Sequence, residues 1–154
     1  MTSEPAVRPN LLKSYALVIV QFGALIALAL TGPIVARHPL LLAMEIAALA
    51  LAAWALLTVR IHNVNVTPDV RQGSQLAREG PFRWIRHPMY ASLLALGWGV
   101  FLKDISILSG ALTAVLTAAV YLTARTEEAE NLAKFGQIYR DYMLKTRRFI
   151  PFLF

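Results

Sequence analysis

Hydrophobic residues fall along this chain in long, nearly unbroken runs, separated by two short polar turns and two longer polar segments. A helix needs roughly 20 apolar residues to cross about 30 Å of hydrocarbon. The run from Ser14 to Ala36 has that length between Lys13 and Arg37, and Pro39 to Val59 has it between the Arg37-His38 turn and Arg60. Met89 to Leu102 is shorter; after a Lys103-Asp104 turn, Ile105 to Ala124 follows and ends at Arg125. The pattern predicts a single all-α integral membrane domain over residues 1–154 with four transmembrane helices, the last two forming a C-terminal helical hairpin. The short third run starts in the interface or is covered by protein rather than lipid. The first run has no small-residue cleavage site and no short apolar region, so it reads as an uncleaved span rather than a signal peptide.

Charge gives the chain a direction. Four spans put the N-terminal segment, the loop 60–88 and the tail 125–154 on one side. That side carries 13 of the 15 Lys and Arg residues, with Arg37 and Lys103 left opposite. By the positive-inside rule this face is cytoplasmic. A three-span arrangement would divide the basic segments between both sides. The sequence pI of about 10.1 raises nucleic acid as a partner, but these cations flank apolar spans, which makes anionic lipid headgroups the natural counter-charge and the bilayer the partner. Composition agrees: 57% of residues are hydrophobic and 16% charged, with a mean hydropathy of +0.55. Cysteine is absent, which excludes disulfides, thiolate metal sites, Fe–S clusters and a cysteine nucleophile. Three scattered histidines make no metal site. Asn65-Val66-Thr67 matches a glycosylation sequon, but on the cytoplasmic side it would not be used.

Two segments on the basic face are too polar for lipid and too patterned for linkers. In the first, Gly80-Pro81 marks a turn and the aromatics after it suit headgroup depth. Pro88 fits the first position of a helix, leaving His87 as its cap and Arg86 beside the helix N-terminus, where free N–H groups attract anions. Arg86 there suits a bidentate contact with a carboxylate or phosphate, and Tyr90 faces the same mouth. An interfacial anchor of basic and aromatic residues accounts for the same pattern. In the tail, Glu128, Leu132, Phe135, Tyr139 and Tyr142 fall at offsets of one helical stripe, predicting an interfacial C-terminal helix lying along the membrane surface. Core packing explains Leu132 and Phe135. It does not explain Glu128, a carboxylate at the head of an apolar stripe, which is costly without a cationic or hydrogen-bonding partner. Glu45, inside the second span, is expected to pair structurally with Arg37 or His38 across about two turns. Gly97 and Gly99 suit close helix contact, within the chain or between copies.

The block Gly80-Pro81-Phe82 … Arg86-His87-Pro88-Met89-Tyr90, followed by Arg125 … Glu127-Glu128 … Leu132 … Phe135-Gly136 … Tyr139 … Tyr142 … Arg148-Phe149-Ile150-Pro151, resembles the isoprenylcysteine carboxyl methyltransferase family and its phospholipid methyltransferase-like prokaryotic relatives. Asn65-Val66-Thr67-Pro68 resembles the bacterial branch. The resemblance covers roughly residues 60–151 and implies a multi-pass methyltransferase of a bacterial inner membrane. It implies S-adenosylmethionine as cofactor, bound at the cytoplasmic face without a Rossmann domain, and no strand–Gly-rich-turn–helix signature occurs in the chain. By position it implies catalytic roles for Arg86 and Glu128. Arg86, His87 and Tyr90 would line the cofactor site from the loop. Glu127, Glu128 and Tyr139 would line it from the tail, and Phe149, Ile150 and Pro151 would close over it. A Gly commonly follows the Tyr by two positions in the family, and Ser92 stands there in this chain. The implied acceptor is a lipophilic or small molecule bearing a carboxylate, thiol or amine. Two other classes fit in part: an NADPH-binding membrane reductase of the sterol-reductase type, which is usually longer, and a non-catalytic membrane protein.

Overall fold

The computed structural model of the chain describes residues 11–33, 35–61 and 76–151. His62 and the Asn65-Val66-Thr67-Pro68 stretch lie outside the described residues. The described residues form five α-helices: α1 Leu11–Thr31, α2 Pro39–Ile61, α3 Pro88–Lys103, α4 Ile107–Phe135 and α5 Gln137–Lys145. A 3₁₀ turn, Gly80–Arg83, precedes α3. Among the described residues there is no strand, only an isolated parallel bridge between Ile85 and Arg147.

Among the described residues three helices are long and apolar enough to cross a membrane: Ser14–Thr31 of α1, Pro39–Val59 of α2, and α4. The outer faces of α1 and α2 carry exposed Ile19, Leu30, Leu40, Leu49 and Leu57, side chains that need lipid rather than water. The 16 residues of α3 reach only about 24 Å at 1.5 Å per residue, less than the hydrocarbon thickness. Pro88 fixes its start and Lys103 stands in its last turn. Ser106 then caps α4: its hydroxyl accepts from the Ser109 N–H at 3.2 Å, while the Ser109 hydroxyl accepts from the Ser106 N–H at 3.1 Å.

α1 packs mainly on α4, and α2 on α3. Leu28 of α1, Val100 of α3, and Leu116 and Val120 of α4 form the core between them. Small residues set the spacing, as expected where lipid removes most of the hydrophobic drive for helix association. A Cβ on Gly97 would stand 2.4 Å from Leu116 Cδ2, and one on Gly99 would stand 3.1 Å from Met44 Cε. Both glycines therefore serve contacts within the chain.

Glu45 departs from expectation. Its carboxylate pairs with Lys103 and accepts the Ala36 N–H at 3.1 Å, while Arg37 and His38 stay exposed. The cause is the direction of α3, which carries its last residue, Lys103, back to the level at which α2 begins. A cation at the same depth, almost fully enclosed, serves a buried carboxylate better than a solvated one on the turn.

The tail also differs. α4 does not stop at Ala124 but runs unbroken to Phe135, because no Gly or Pro falls between Arg125 and Lys134 and most residues there favour a helix. Its 29 residues span about 43 Å, and the charged Arg125–Lys134 portion follows the apolar part. Gly136, at φ 53 and ψ −124, then breaks the helix and starts α5. The expected stripe is thus divided, with Glu128, Leu132 and Phe135 on α4 and Tyr139 and Tyr142 on α5.

Candidate active site

The site forms where the 80–88 segment, the polar end of α4 and the chain after α5 meet. Gly80, at φ 55, lets the 3₁₀ turn settle on the end of α2; a Cβ there would lie 2.5 Å from Thr58 Oγ1. Trp84 then packs edge-on against Trp54, with ring centroids 5.9 Å apart. His87 caps α3 through its backbone position alone, with Pro88 opening the helix, so its ring is left for other partners. Three backbone bonds strap the C-terminal segment to this stretch. Arg86 N–H donates to Arg147 O at 2.7 Å, His87 N–H to Arg148 O at 3.1 Å, and Arg147 N–H to Trp84 O at 2.9 Å.

Glu128 lies at the centre, 4% exposed. Its Oε1 accepts from Arg86 Nε at 2.8 Å and Arg148 Nε at 3.2 Å, and lies 3.3 Å from His87 Nε2. Its Oε2 accepts from Arg148 Nη2, completing a forked pair. This bond to Glu128 holds the Arg148 guanidinium above its ordinary value. Arg86 spends its remaining bonds on the chain, Nη1 donating to Thr146 O at 2.7 Å and Met143 O at 3.3 Å. The anion contact expected of Arg86 is therefore made to the protein's own carboxylate. Behind this cluster, Tyr142 donates its hydroxyl to Phe82 O at 2.7 Å. Burial pushes the Tyr139 and Tyr142 phenols up, so both stay neutral.

A cavity of about 1090 Å³ runs between α3 and α4. Ala91, Leu94 and Trp98 form one wall and Thr113, Ala114, Thr117 and Tyr121 the other, while Arg86, Arg148, Phe149, Ile150 and Pro151 close one end. It is an apolar trough with a cationic end, large enough for more than one drug-sized group. Arg148 lies over the Tyr121 ring, 5.2 Å from its centroid.

The residues singled out from sequence occupy three positions. Arg86, Phe149 and Pro151 line the cavity. Around its cationic end, the His87 ring stacks on Tyr90 at 5.4 Å and 19° and stands 6.0 Å from Phe149. Glu127 Oε2 is 3.6 Å from His87 Nδ1, and Glu128 braces both arginines. Tyr139 is 1% exposed and packs on Tyr142, away from the cavity. Sequence reasoning gave no role to Arg148 or Tyr121. Tyr121 stands seven residues before Glu128, so extending the stripe backwards along α4 would have found it. Arg148 was counted with the topology-setting cations and stood in the resembling block without a role, and the strap reveals that it faces Glu128.

No curated protein sequence matches the chain. The profile of the phospholipid methyltransferase family matches residues 40–141, from the start of α2 into α5. The match takes in Arg86, His87, Tyr90, Glu127, Glu128 and Tyr139 and ends before the strap. It spans more than half of the 154 residues, so this chain belongs to the phospholipid methyltransferase family, a membership that implies methyl transfer at a membrane.

Proposed function

We propose that this chain is an integral membrane methyltransferase that takes its methyl group from S-adenosylmethionine at the Arg86–Glu128 face and delivers it to a hydrophobic or amphiphilic acceptor. The observation that carries the proposal is the shape of the cavity, an apolar trough between two helices ending on fixed cations. In this reading α3 is a fourth, short crossing completed by its packing on α2 and α4. The N-terminal segment, the 60–88 loop and the tail then share the cytoplasmic side.

The residues at the cationic end suit the cofactor. S-adenosylmethionine offers a carboxylate, an ammonium, a sulfonium, ribose hydroxyls and a flat base. Arg148, with 23% of its side chain exposed, has the charge for the carboxylate. Glu127, 31% exposed, has the charge for the ammonium or the acceptors for ribose. Tyr90, His87 and Phe149 supply ring faces for a base or a sulfonium. Glu128, its oxygens taken up by three partners, is a positioning residue: it fixes both arginines and, through them, the strap.

When bound, the cofactor supplies a methyl group on a positively charged sulfur. The transfer is an in-line displacement, for which the protein chiefly provides alignment and exclusion of water. Phe149, Ile150 and Pro151 close the cationic end, while the α3 and α4 walls hold an apolar acceptor in line with it. A carboxylate or thiolate acceptor needs no general base, and an amine has to arrive deprotonated. The acceptor reaches the trough laterally from the bilayer.

Calorimetric titration of the detergent-solubilised chain with S-adenosylmethionine and with NADPH tests the cofactor assignment. Saturable binding of S-adenosylmethionine, weakened at least tenfold in Arg148→Gln, is the expected result. Saturable binding of NADPH alone would overturn the proposal.

A further inference from the structure

A second cavity, of about 380 Å³, opens on the same face of the molecule, between the segment before α3 and helix α5. Arg78 and Arg83 line one side of it, Asp141 and Lys145 of α5 the other, and Tyr142 and Thr146 also contribute to its lining. Nothing in the methyl-transfer reading uses it. The three cations are exposed, and among the described residues none of them forms an ion pair. Asp141, the one acid among the lining residues, has its Oδ1 engaged by Gln137 Nε2 at 2.8 Å. That amide contact does not cancel the Asp141 charge, so the lining carries three cations against one carboxylate, and the excess of positive charge around a shared space favours a counter-anion.

We propose that this cavity is a seat for a phosphate-bearing anion, separate from the cofactor site and set at headgroup level. Arginine and lysine together provide the forked and point-charge donors that phosphate oxygens take. The volume holds a glycerophosphate-sized group. The rim favours a lipid as its source: Trp84, Ile138 and Leu144 are exposed at 46%, 54% and 80% on the same two segments, an aromatic and aliphatic fringe suited to the interface. Tyr142 anchors the back of the seat, since its hydroxyl ties α5 to Phe82 of the opposite side. Thr146 belongs to both sites, lining this cavity and accepting from Arg86 with its carbonyl.

The test is a titration of the full chain in neutral maltoside detergent, read by tryptophan fluorescence, because the Arg83 guanidinium lies 5.9 Å from the Trp84 ring centroid. The probes are dihexanoyl-phosphatidylglycerol, dihexanoyl-phosphatidylcholine and inorganic phosphate. Phosphatidylglycerol is expected to saturate. Its affinity should fall at least tenfold in Arg83→Gln/Lys145→Gln, stay unchanged in Arg125→Gln/Arg140→Gln on the same face, and persist in Arg83→Lys/Lys145→Arg. Competition by millimolar phosphate would support the seat with free phosphate as its occupant; its absence would support the seat with a lipid headgroup. All four altered side chains are exposed, so folding is preserved, and equal melting temperatures without lipid verify it. Equal affinity in the Arg83→Gln/Lys145→Gln variant and the parent, or phosphatidylcholine binding as tightly as phosphatidylglycerol, would overturn the proposal. The readout is binding, so it stands or falls independently of methyl transfer.

Discussion

Replacing Glu128 with Gln keeps the side chain's shape and removes its charge, leaving Arg86 and Arg148 facing each other across a neutral amide. Breaking a buried ion pair by removing one partner costs about 3–5 kcal/mol. The lower end applies here for two reasons. Arg148 has 23% of its side chain exposed and is partly screened by solvent. Arg86, at 9%, keeps the carbonyls of Thr146 and Met143. About 3 kcal/mol corresponds to roughly a hundredfold shift in the opening equilibrium of the strap. Hydrogen exchange reads this directly, because the Arg86, His87 and Arg147 amides are the donors that hold the strap. In Glu128→Gln their protection should fall by about two orders of magnitude, while amides in the middle of α2 stay unchanged. Arg148→Gln, which leaves Glu128 with Arg86 and His87, should lose less, about 1–2 kcal/mol. Unchanged protection at these three amides in Glu128→Gln would refute the view that this carboxylate holds the site together.

Other expectations follow from single contacts. Gly97→Ala places a Cβ 2.4 Å from Leu116 Cδ2 and should cost about 1–3 kcal/mol in thermal or SDS unfolding, with Leu116→Ala in the same chain recovering part of the loss. Gly136→Ala forces a side chain into the φ 53, ψ −124 region and should cost about 1–3 kcal/mol by the same assay. Lys103→Met strands the Glu45 carboxylate and should destabilise by about 3 kcal/mol, whereas Glu45→Met/Lys103→Met should restore most of it. Tyr142→Phe removes the bond to Phe82 O and should cost about 1 kcal/mol, read by tryptophan fluorescence melting.

Much of the fold was legible because lipid imposes simple rules. Run lengths located α1, α2 and the apolar part of α4, and the Pro after His87 located the start of α3. The cost of a lone carboxylate singled out Glu128 and Glu45 as needing partners. It did not lead to the right partners: Glu45 was expected to pair with Arg37 or His38, whereas both Lys103 and Arg148 arrive from segments distant in sequence, brought by the direction of α3 and by the strap. The stripe from Glu128 to Tyr142 misled because periodicity takes no account of a break, and the left-handed φ of Gly136 appears only in the structure. Arg86 was rightly placed beside the α3 N-terminus, but its partner is internal. A guanidinium next to free N–H groups looks the same from sequence whether its anion is a ligand or the chain's own Glu128.

On the proposed reading, methyl transfer takes place at the cationic end of the α3–α4 trough. It is tested most directly by incubating the chain in lipid nanodiscs with methyl-labelled S-adenosylmethionine and a panel of lipophilic carboxylate, thiol and amine acceptors. Label is expected in at least one amphiphilic acceptor, reduced at least tenfold in Arg148→Gln and in Trp98→Ala, which opens the trough wall. Label that enters no acceptor, or enters one equally well with both variants, would contradict it.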